Sequence, residues 1–276
     1  MNYSKVVKKI VTEIIQDQLK PTMKYYAFDW DDNLMYMPTK IYLRDEEGES
    51  VGMSTEDFAE YRTEIGKEPF EYEGHTIVGF DDDAFRDFRV TGDKKFISDS
   101  MRAPTGPAWD DFVEAVNNGS IFAIITARGH TPSVLKNAVY NLIKRNKHGL
   151  SERELVKNLR KYREISDEEE LSDDELVRTY LEMCKYHPVS FGEGSAANPE
   201  QLKVTAMSEF MRYVKDLAQK LQEKAYLKNK ISNYFEPYIG FSDDDLKNVQ
   251  TMKKHFDDES GLDIYHTGGG RKTKFE

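Results

Sequence analysis

One short stretch of the sequence constrains the fold more than any other, because an apolar segment runs directly into a cluster of acids. Residues 25–28 are aromatic or aliphatic, and Asp29, Asp31 and Asp32 follow them closely. A short apolar run without polar alternation is typical of a strand buried on both faces of a parallel sheet. Ligands of open parallel sheets bind beyond the carboxyl ends of the strands, so these acids are predicted to face a ligand.

The spacing of the first two acids points to a cation. Asp29 and Asp31 are two residues apart, and an extended chain directs such side chains to the same side. Two carboxylates buried together repel each other unless a proton or a cation relieves the repulsion. A hard, oxygen-preferring ion such as Mg²⁺ would do so. A solvated turn is the alternative for an acid cluster taken alone.

The rest of the chain alternates between short apolar strands and helices. Such alternation predicts an α/β fold with a doubly wound parallel sheet. The predicted strands are residues 25–28, 121–126, 189–191, 238–241 and 263–266. The predicted helices are residues 107–116, a helix opened by Thr131 and Pro132, a long helix from Asn198 and Pro199 to about residue 230, and residues 246–256.

Two stretches interrupt the alternation and are expected to stand above the sheet as insertions. Residues 41–103 contain a predicted hairpin at 45–49 and a short helix from about Thr55. Residues 144–186 are highly charged and helical in pattern, with Ser151 and Ser172 as predicted caps. Residues 1–40, 104–143 and 187–276 then form the core domain. Within it, residues 1–20 are predicted to be an amphipathic helix on the core, and residues 268–276 a loose tail.

Composition restricts the function classes. The net charge of −11 over 276 residues repels phosphate backbones, so extended nucleic-acid binding is disfavoured. No apolar run approaches the roughly 18 residues of a membrane span, so no membrane partner is expected. Cys184 is the single cysteine and excludes an internal disulfide. This fits a reducing compartment, and a cytoplasmic location is expected.

Three further segments carry residues suited to phosphate chemistry. The predicted strand 121–126 ends in Thr126, with Ala127 and Arg128 next. The strand 238–241 runs into Asp243 and Asp244 in the same way as the first strand runs into its acids. A fourth candidate, Lys203, lies near the start of the long predicted helix. Together they supply a hydroxyl, a cation and further acids at one edge of the sheet.

These segments resemble, in order along the chain, the four motifs of the haloacid dehalogenase superfamily. Residues 28–34 resemble the first motif, Asp-x-Asp-x-Thr/Val-Leu, with Asn33 where the family usually has Thr or Val. The strand ending in Thr126 is similar to the second motif, Lys203 to the third, and Asp243-Asp244 to the fourth. The resemblance covers the core and neither insertion. It implies a three-layer Rossmann-like fold with a parallel sheet of order 5-4-1-2-3, with the insertions in the places of the family's two cap types.

The resemblance also implies a reaction and the residues for it. The expected activity is Mg²⁺-dependent hydrolysis of phosphomonoesters through an aspartyl-phosphate. The resemblance implies that Asp29 is the nucleophile and that Asp31 is the general acid and base. It implies that Thr126 and Lys203 hold phosphoryl oxygens, and that Mg²⁺ is bound by Asp29, Asp243, Asp244 and the backbone carbonyl of Asp31. The residues implied to line the substrate pocket are Ala127, Arg128 and Trp30. The expected partner is a phosphorylated small molecule or a nucleotide, and nothing in the insertions identifies it further.

Two alternatives stay open at the level of sequence. A nucleotide or polynucleotide-end phosphatase would use the same chemistry, with a basic groove leading to Asp29. Residues that could form the groove are Arg128, Lys136, Lys144 and Arg145. The other alternative is a catalytically inactive binding or regulatory protein on the same fold, for which Asn33 and a displaced Lys203 would be the signs.

Overall fold

The computed structural model describes residues 23–89, 92–166, 171–190, 198–227 and 237–276. The helix predicted for residues 1–20 lies outside them. In the described residues the strands are β1 (Met23–Phe28), β2 (Lys40–Asp45), β3 (Ser50–Ser54), β4 (Phe70–Tyr72), β5 (His75–Phe80), β6 (Phe122–Thr126), β7 (Lys185–Pro188), β8 (Pro237–Asp243), β9 (Leu262–His266) and β10 (Thr273–Lys274). The α-helices there are α1 (Thr55–Tyr61), α2 (Asp93–Ser100), α3 (Trp109–Asn117), α4 (Pro132–Lys144), α5 (Glu152–Ser166), α6 (Asp173–Met183), α7 (Pro199–Leu227) and α8 (Leu246–His255).

The main sheet has the order β10-β9-β8-β1-β6-β7. Strands β9, β8, β1, β6 and β7 pair in parallel, and β10 pairs antiparallel to β9. Helices connect the parallel strands, so the predicted α/β class is confirmed. Phe28 is in register with Ile124 on one side and Ser242 on the other. The residues that follow β1, β6 and β8 therefore emerge side by side at one edge of the sheet.

Local sequence signals set several helix ends as predicted. Helix α4 starts with Pro132 in its first turn after the N-cap residue Thr131, where the missing N–H of proline costs no hydrogen bond. Gly119, with a positive φ of 72°, follows the end of α3. Ser172 caps α6 in a reciprocal capping box with Glu175. The backbone N–H of Glu154 donates to Ser151 Oγ at 3.2 Å, so both predicted serine caps are confirmed.

Two predictions about the main sheet are wrong. The third parallel strand is β7 at Lys185–Pro188, whereas the predicted segment 189–191 has Val189 and Ser190 in a turn. Within the described residues β7 pairs with β6 alone, and a short edge strand tolerates polar residues and a proline that a central strand excludes. The predicted loose tail instead forms β10, and the N–H of Phe275 donates to Ile264 O at 2.8 Å.

The first insertion forms a sheet of its own, antiparallel and of order β3-β2-β5-β4, with α1 beside it. The predicted hairpin and the helix start at Thr55 are both confirmed. A small hydrophobic core, separate from that of the main sheet, holds this sheet together. Its buried members are Ile41, Leu43, Val51, Met53, Ile65, Tyr72, Ile77 and Ala84.

The second insertion does not stand above the sheet. Its helices α5 and α6 bury apolar residues in the same core as the central strands, among them Leu155, Val177 and Leu181. The hydroxyl of Tyr180 donates to the carbonyl of Ser120 at 2.7 Å, just before β6. Burial of this apolar face against the sheet gives these highly charged helices a fixed place. None of the helices in the described part of the chain is both long and apolar enough to cross a bilayer.

A close backbone approach joins the end of the first insertion to the acid-rich segment. The N–H of Gly106 donates to Leu34 O at 2.8 Å, and that of Ala108 to Asn33 O at 3.0 Å. A Cβ atom at position 106 would lie 2.5 Å from the carbonyl oxygen of Asn33. Glycine is therefore required here by contact with the backbone, since no side-chain rotation could relieve that clash.

Candidate active site

The acids after β1 and β8 meet at the carboxyl edge of the main sheet, as the sequence predicts. The N–H of Asp29 donates to Ser242 O at 3.0 Å, which continues the ladder between the two strands. Asp29 and Asp243 are both buried. Carboxylates enter the interior only with strong partners, so their neighbours define what the site can do.

Lys203 is the partner that the two acids share. Its Nζ donates to Asp29 Oδ1 at 3.0 Å and to Asp243 Oδ2 at 2.7 Å. Asn198 Oδ1 accepts from the N–H of Glu200 at 3.0 Å at the start of α7, which fixes the helix end from which the lysine reaches inward. Burial disfavours the ammonium charge, but Asp243 and Asp29 more than offset it and raise the pKa of Lys203. The lysine therefore stays charged.

Asp29, Asp243 and Asp244 could hold a metal ion together. Each can place one carboxylate oxygen so that the three atoms lie within 4.8 Å of one another. Burial raises the pKa of Asp29 to about 7, and Asp243 and Asp31 raise it while Lys203 opposes them. Burial also raises the pKa of Asp244 well above its usual value, and Asp243 and Asp29 add to this. Three carboxylates face one ammonium, so a hard divalent cation fits both the donors and the charge.

Neighbouring amides hold these acids in place. Asn248 Nδ2 and the N–H of Asp245 each donate to Asp243 Oδ1 at 3.0 Å. Asn33 Nδ2 donates to Asp29 O at 2.9 Å and to Ser242 Oγ at 3.1 Å, and its Oδ1 accepts from Thr267 Oγ1 at 2.9 Å. The amide of Asn33 thus ties the ends of β1, β8 and β9 together, a reach that the shorter threonine or valine lacks.

Asp31 turns away from this group and pairs with Arg128. Arg128 Nε donates to Asp31 Oδ2 at 2.8 Å, and Nη2 donates to Asp31 Oδ1 at 2.5 Å. The arginine is 1% exposed. Of the four acids predicted to bind metal, Asp31 is therefore the one whose side chain lies outside the group. Its predicted contribution was a backbone carbonyl, and this stays a prediction.

The guanidinium of Arg128 has further partners that sequence reasoning missed. Nη2 donates to Thr39 Oγ1 at 2.6 Å, and Nη1 contacts His130 Nε2 at 3.2 Å. His130 Nδ1 lies 2.8 Å from Asp93 Oδ1. Burial lowers the pKa of His130 and Arg128 lowers it further, against the opposing effect of Asp93. A neutral imidazole that donates from Nδ1 and accepts at Nε2 satisfies both contacts.

The remaining predicted site residues fall into two environments. Thr126 ends β6, and its Oγ1 accepts from the N–H of Arg128 at 3.4 Å. Ala127 is exposed beside it. Trp30 is 0% exposed, and its ring centroid lies 5.2 Å from that of Phe96. Thr126 and Ala127 thus lie at the carboxyl edge of the sheet, whereas Trp30 lies in the core rather than on a pocket wall.

The first insertion lies over this edge of the sheet. Thr55, the first residue of α1, hydrogen-bonds the side chain of Asp32 and lowers its pKa, but burial dominates and raises that pKa to about 6. Arg62, after α1, donates from Nη2 to Glu200 Oε1 at 3.0 Å, and its Nη1 lies 3.0 Å from Asp245 Oδ2. These ion pairs attach the insertion to the starts of α7 and α8, close to Lys203.

The basic groove considered for nucleic-acid ends does not form. Arg128 is buried against Asp31, and Lys136 pairs with Glu182. Lys144 Nζ donates to Glu152 Oε1 at 2.6 Å. Lys144 ends α4 and Arg145 is the C-cap residue of that helix, which starts after β6 at Pro132. At about 1.5 Å per residue, both lie far from the carboxyl edge. These four cations therefore do not converge on Asp29.

Comparisons of the chain with protein-family models, with curated proteins and with solved structures found no match.

Proposed function

We propose that this protein is a Mg²⁺-dependent phosphomonoester hydrolase of the haloacid dehalogenase type. The observation that carries the proposal is the position of Lys203 Nζ, 3.0 Å from Asp29 Oδ1 and 2.7 Å from Asp243 Oδ2. Three sequence-distant motif residues thus share one buried site. The strand order β9-β8-β1-β6-β7 adds support, because numbering these parallel strands along the chain gives the order 5-4-1-2-3 that the resemblance implies.

The first half of the proposed reaction uses Asp29 as the nucleophile. Lys203 occupies Oδ1 of Asp29, which leaves Oδ2 to attack phosphorus in line with the leaving oxygen. A bond forms between Oδ2 and phosphorus, and the bond to the leaving oxygen breaks. Lys203 and Thr126 stabilise the phosphoryl oxygens as charge builds up on them.

Asp31 serves both halves of the proposed reaction. It gives a proton to the leaving oxygen, and its carboxylate then takes a proton from the water that attacks the aspartyl-phosphate. That second attack breaks the bond between phosphorus and Asp29 and releases inorganic phosphate. The first insertion covers the edge and limits the access of other water.

The carboxylates of Asp29, Asp243 and Asp244, which lie together, and the backbone carbonyl of Asp31 would hold Mg²⁺. When bound, it supplies positive charge that offsets both the clustered acids and the phosphoryl group. Asn248 and the N–H of Asp245 keep Asp243 oriented toward the others.

The test is hydrolysis of a chromogenic aryl phosphate with Mg²⁺ and with a chelator. Asp29→Asn should lower kcat on the order of 10⁴-fold or more, as expected for loss of a nucleophile. Asp216→Asn, which removes an exposed acid paired with Lys220 on α7, is the matched control and should behave as wild type. Turnover that survives Asp29→Asn, or that is indifferent to the chelator, would overturn the proposal.

Trapping the intermediate gives a second readout. In Asp31→Asn the general base is missing, so the aspartyl-phosphate should accumulate when a good leaving group needs little help from an acid. Mass spectrometry of the quenched variant should then find one phosphoryl group on the peptide that contains Asp29. A phosphoryl group elsewhere would reject Asp29 as the nucleophile.

A further inference from the structure

We infer that Arg128 is a positioning residue that holds Asp31 for acid–base chemistry and does not bind the phosphoryl group. The inference rests on the proposed function, because Asp31 has an acid–base role only within it. It also replaces the substrate-binding role that the sequence suggested for Arg128.

The hydrogen bonds of Arg128 leave little room for a substrate. Nε and Nη2 bind the two oxygens of Asp31 at 2.8 and 2.5 Å. Nη2 also donates to Thr39, and Nη1 to His130. A guanidinium has five N–H groups in one plane, and only one, on Nη1, is left without a partner among these contacts. Bidentate recognition of a phosphoryl group needs two adjacent free N–H donors, and these contacts leave Arg128 with one.

The guanidinium also packs against two aromatic rings. Its Cζ lies 4.9 Å from the ring centroid of Phe88 and 4.6 Å from that of Phe96. His130 stacks on Phe96 at 4.7 Å between centroids and is braced by Asp93. With two rings against it and its N–H groups bonded, Arg128 keeps one orientation, and Asp31 keeps the orientation that matches it.

Stability alone gives a poor reason for this ion pair. A buried arginine–carboxylate pair costs desolvation of both charges, and well-packed apolar residues often serve as well or better. Here the pair lies two residues from the proposed nucleophile, at the end of the central strand β1. A fixed orientation of the acid–base group affects the reaction rate most at this point, since a misplacement of about 1 Å can lower the rate on the order of 10²-fold.

The pocket around Arg128 is built from both parts of the protein. Phe88, Asp93 and Phe96 belong to the first insertion, whereas His130 belongs to the core. The N–H of Gly129 donates to Phe88 O at 2.9 Å, which fixes the backbone of the insertion to the segment after β6. The packing of the first insertion against the core therefore helps to set the position of Asp31.

The experiment is a double-mutant cycle on turnover of an aryl phosphate with Arg128→Met, Asp31→Asn and the double variant. If Arg128 acts through Asp31, Arg128→Met should lower kcat by about 10- to 100-fold with KM nearly unchanged. The double variant should then be no slower than Asp31→Asn alone. If Arg128 binds the phosphoryl group, KM and the inhibition constant of inorganic phosphate should rise, and the two losses should multiply.

The leaving group supplies a readout that a merely structural role would not move. Arg128→Met should lose more activity on an alkyl phosphate, whose leaving oxygen needs the proton, than on an aryl phosphate with a good leaving group. Arg128→Lys should restore part of the difference, because it keeps one charged donor. Equal losses on both substrates, with no gain from lysine, would overturn the inference.

Two further variants guard the interpretation. Arg178→Met is the matched control, because Arg178 also pairs with an acid and packs on a ring, but on the exposed face of α6. Its Nε donates to Asp174 at 2.7 Å, and its Cζ lies 4.4 Å from the ring centroid of Tyr140. The Arg178→Met variant should leave kcat unchanged. If Arg128→Met does not fold, Thr39→Val removes one bond to the guanidinium and keeps the ion pair, and it should lower kcat by a few fold at constant KM. An unchanged kcat in Thr39→Val would count against the inference.

Different results contradict the proposed function and the positioning role of Arg128. A wild-type protein that hydrolyses no phosphomonoester contradicts the proposed function. A wild-type protein that needs Asp29 for turnover, together with an additive cycle for Arg128 and Asp31, contradicts only the positioning role.

Discussion

Two buried groups of charges lie at the same edge of the main sheet, and they are built differently. The lysine cluster contains Asp29, Lys203, Asp243 and Asp244, which come from β1, β8, α7 and the residues next to them. The arginine cluster contains Asp31, Arg128, Thr39, His130 and Asp93. The first group uses core elements alone, whereas the second is completed by the first insertion.

Their charges differ as well. In the lysine cluster three carboxylates share one ammonium, so the group is electrostatically incomplete and suited to a further cation. In the arginine cluster the guanidinium faces Asp31 with both oxygens bound, and that pair is balanced. This difference agrees with the two proposals above, in which the lysine cluster binds a cation and the arginine cluster holds Asp31 in place.

The largest expected difference between the clusters concerns the two cations. Lys203→Met should lower kcat by about 10²- to 10³-fold, since it removes a donor that stabilises charge on the phosphoryl group. This exceeds the loss expected for Arg128→Met, which acts through Asp31. Steady-state kinetics of the two variants under the same conditions measures the ratio. A smaller effect for Lys203→Met than for Arg128→Met would reverse the assignment of roles.

The lysine cluster should also make the metal-free protein sensitive to pH. The unfolded pKa of Asp29 is 3.8 and the folded pKa is about 7, so the folded state holds a proton that the unfolded state has lost. The contribution of Asp29 to stability is therefore fully present below pH 3.8 and is lost as the pH rises to about 7, by at most about 1.4 kcal/mol per pH unit. Denaturant unfolding with a chelator at several pH values measures the slope.

Mg²⁺ and Asp29→Asn are the controls for that slope. The metal binds the folded state and should offset the loss of stability, and the variant has no carboxyl to titrate at this position. If the metal-free wild type does not lose stability relative to Asp29→Asn over the same range, the acids are not buried together as described.

Asn248→Ala should weaken metal binding, although Asn248 is not itself one of the proposed metal ligands. Asn248 orients Asp243 through one hydrogen bond of 3.0 Å, and loss of such a supporting partner typically costs 10- to 100-fold in metal affinity. The Mg²⁺ dependence of turnover measures this change, and saturating Mg²⁺ should restore most of kcat. If the apparent Mg²⁺ affinity is unchanged, Asp243 does not belong to the metal site.

The smallest expected effect is that of Arg62→Met, which loosens the attachment of the insertion. Its ion pairs with Glu200 and Asp245 are partly exposed, and such pairs contribute about 1 kcal/mol or less. We expect a small drop in unfolding free energy and, because the insertion completes the arginine cluster, a few-fold drop in kcat on alkyl phosphates. Equal losses of kcat on alkyl and aryl phosphates would show that the insertion does not help to place Asp31.

The lysine cluster could be predicted from the sequence, because each member follows a local signal. Asp29 and Asp243 come directly after apolar strands, and Lys203 follows a helix start marked by Asn198 and Pro199. Parallel strands bring such ends to one edge without any knowledge of side-chain packing. The fold class and four strands of the main sheet, β1, β6, β8 and β9, followed from the same signals.

The arginine cluster could not be predicted in this way. The contact of Arg128 with Asp31 joins residues 97 positions apart, and it depends on side-chain orientation and on an insertion without a motif. His130, two residues after Arg128, gave the only local hint. The strand β7 was missed for a related reason, since Lys185–Pro188 lies at the sheet edge and needs no apolar run.

The tight backbone contact at Gly106 affects how the activity scores of a variant library should be interpreted. Any side chain at this position would push the peptide carbonyl of Asn33 away by contact at 2.5 Å, and Asn33 spans the tips of three strands. A screen for activity would then score position 106 as intolerant, as strongly as a reacting group, although it meets no reactant. Sorting the library by soluble yield before activity would separate such architectural positions from chemical ones.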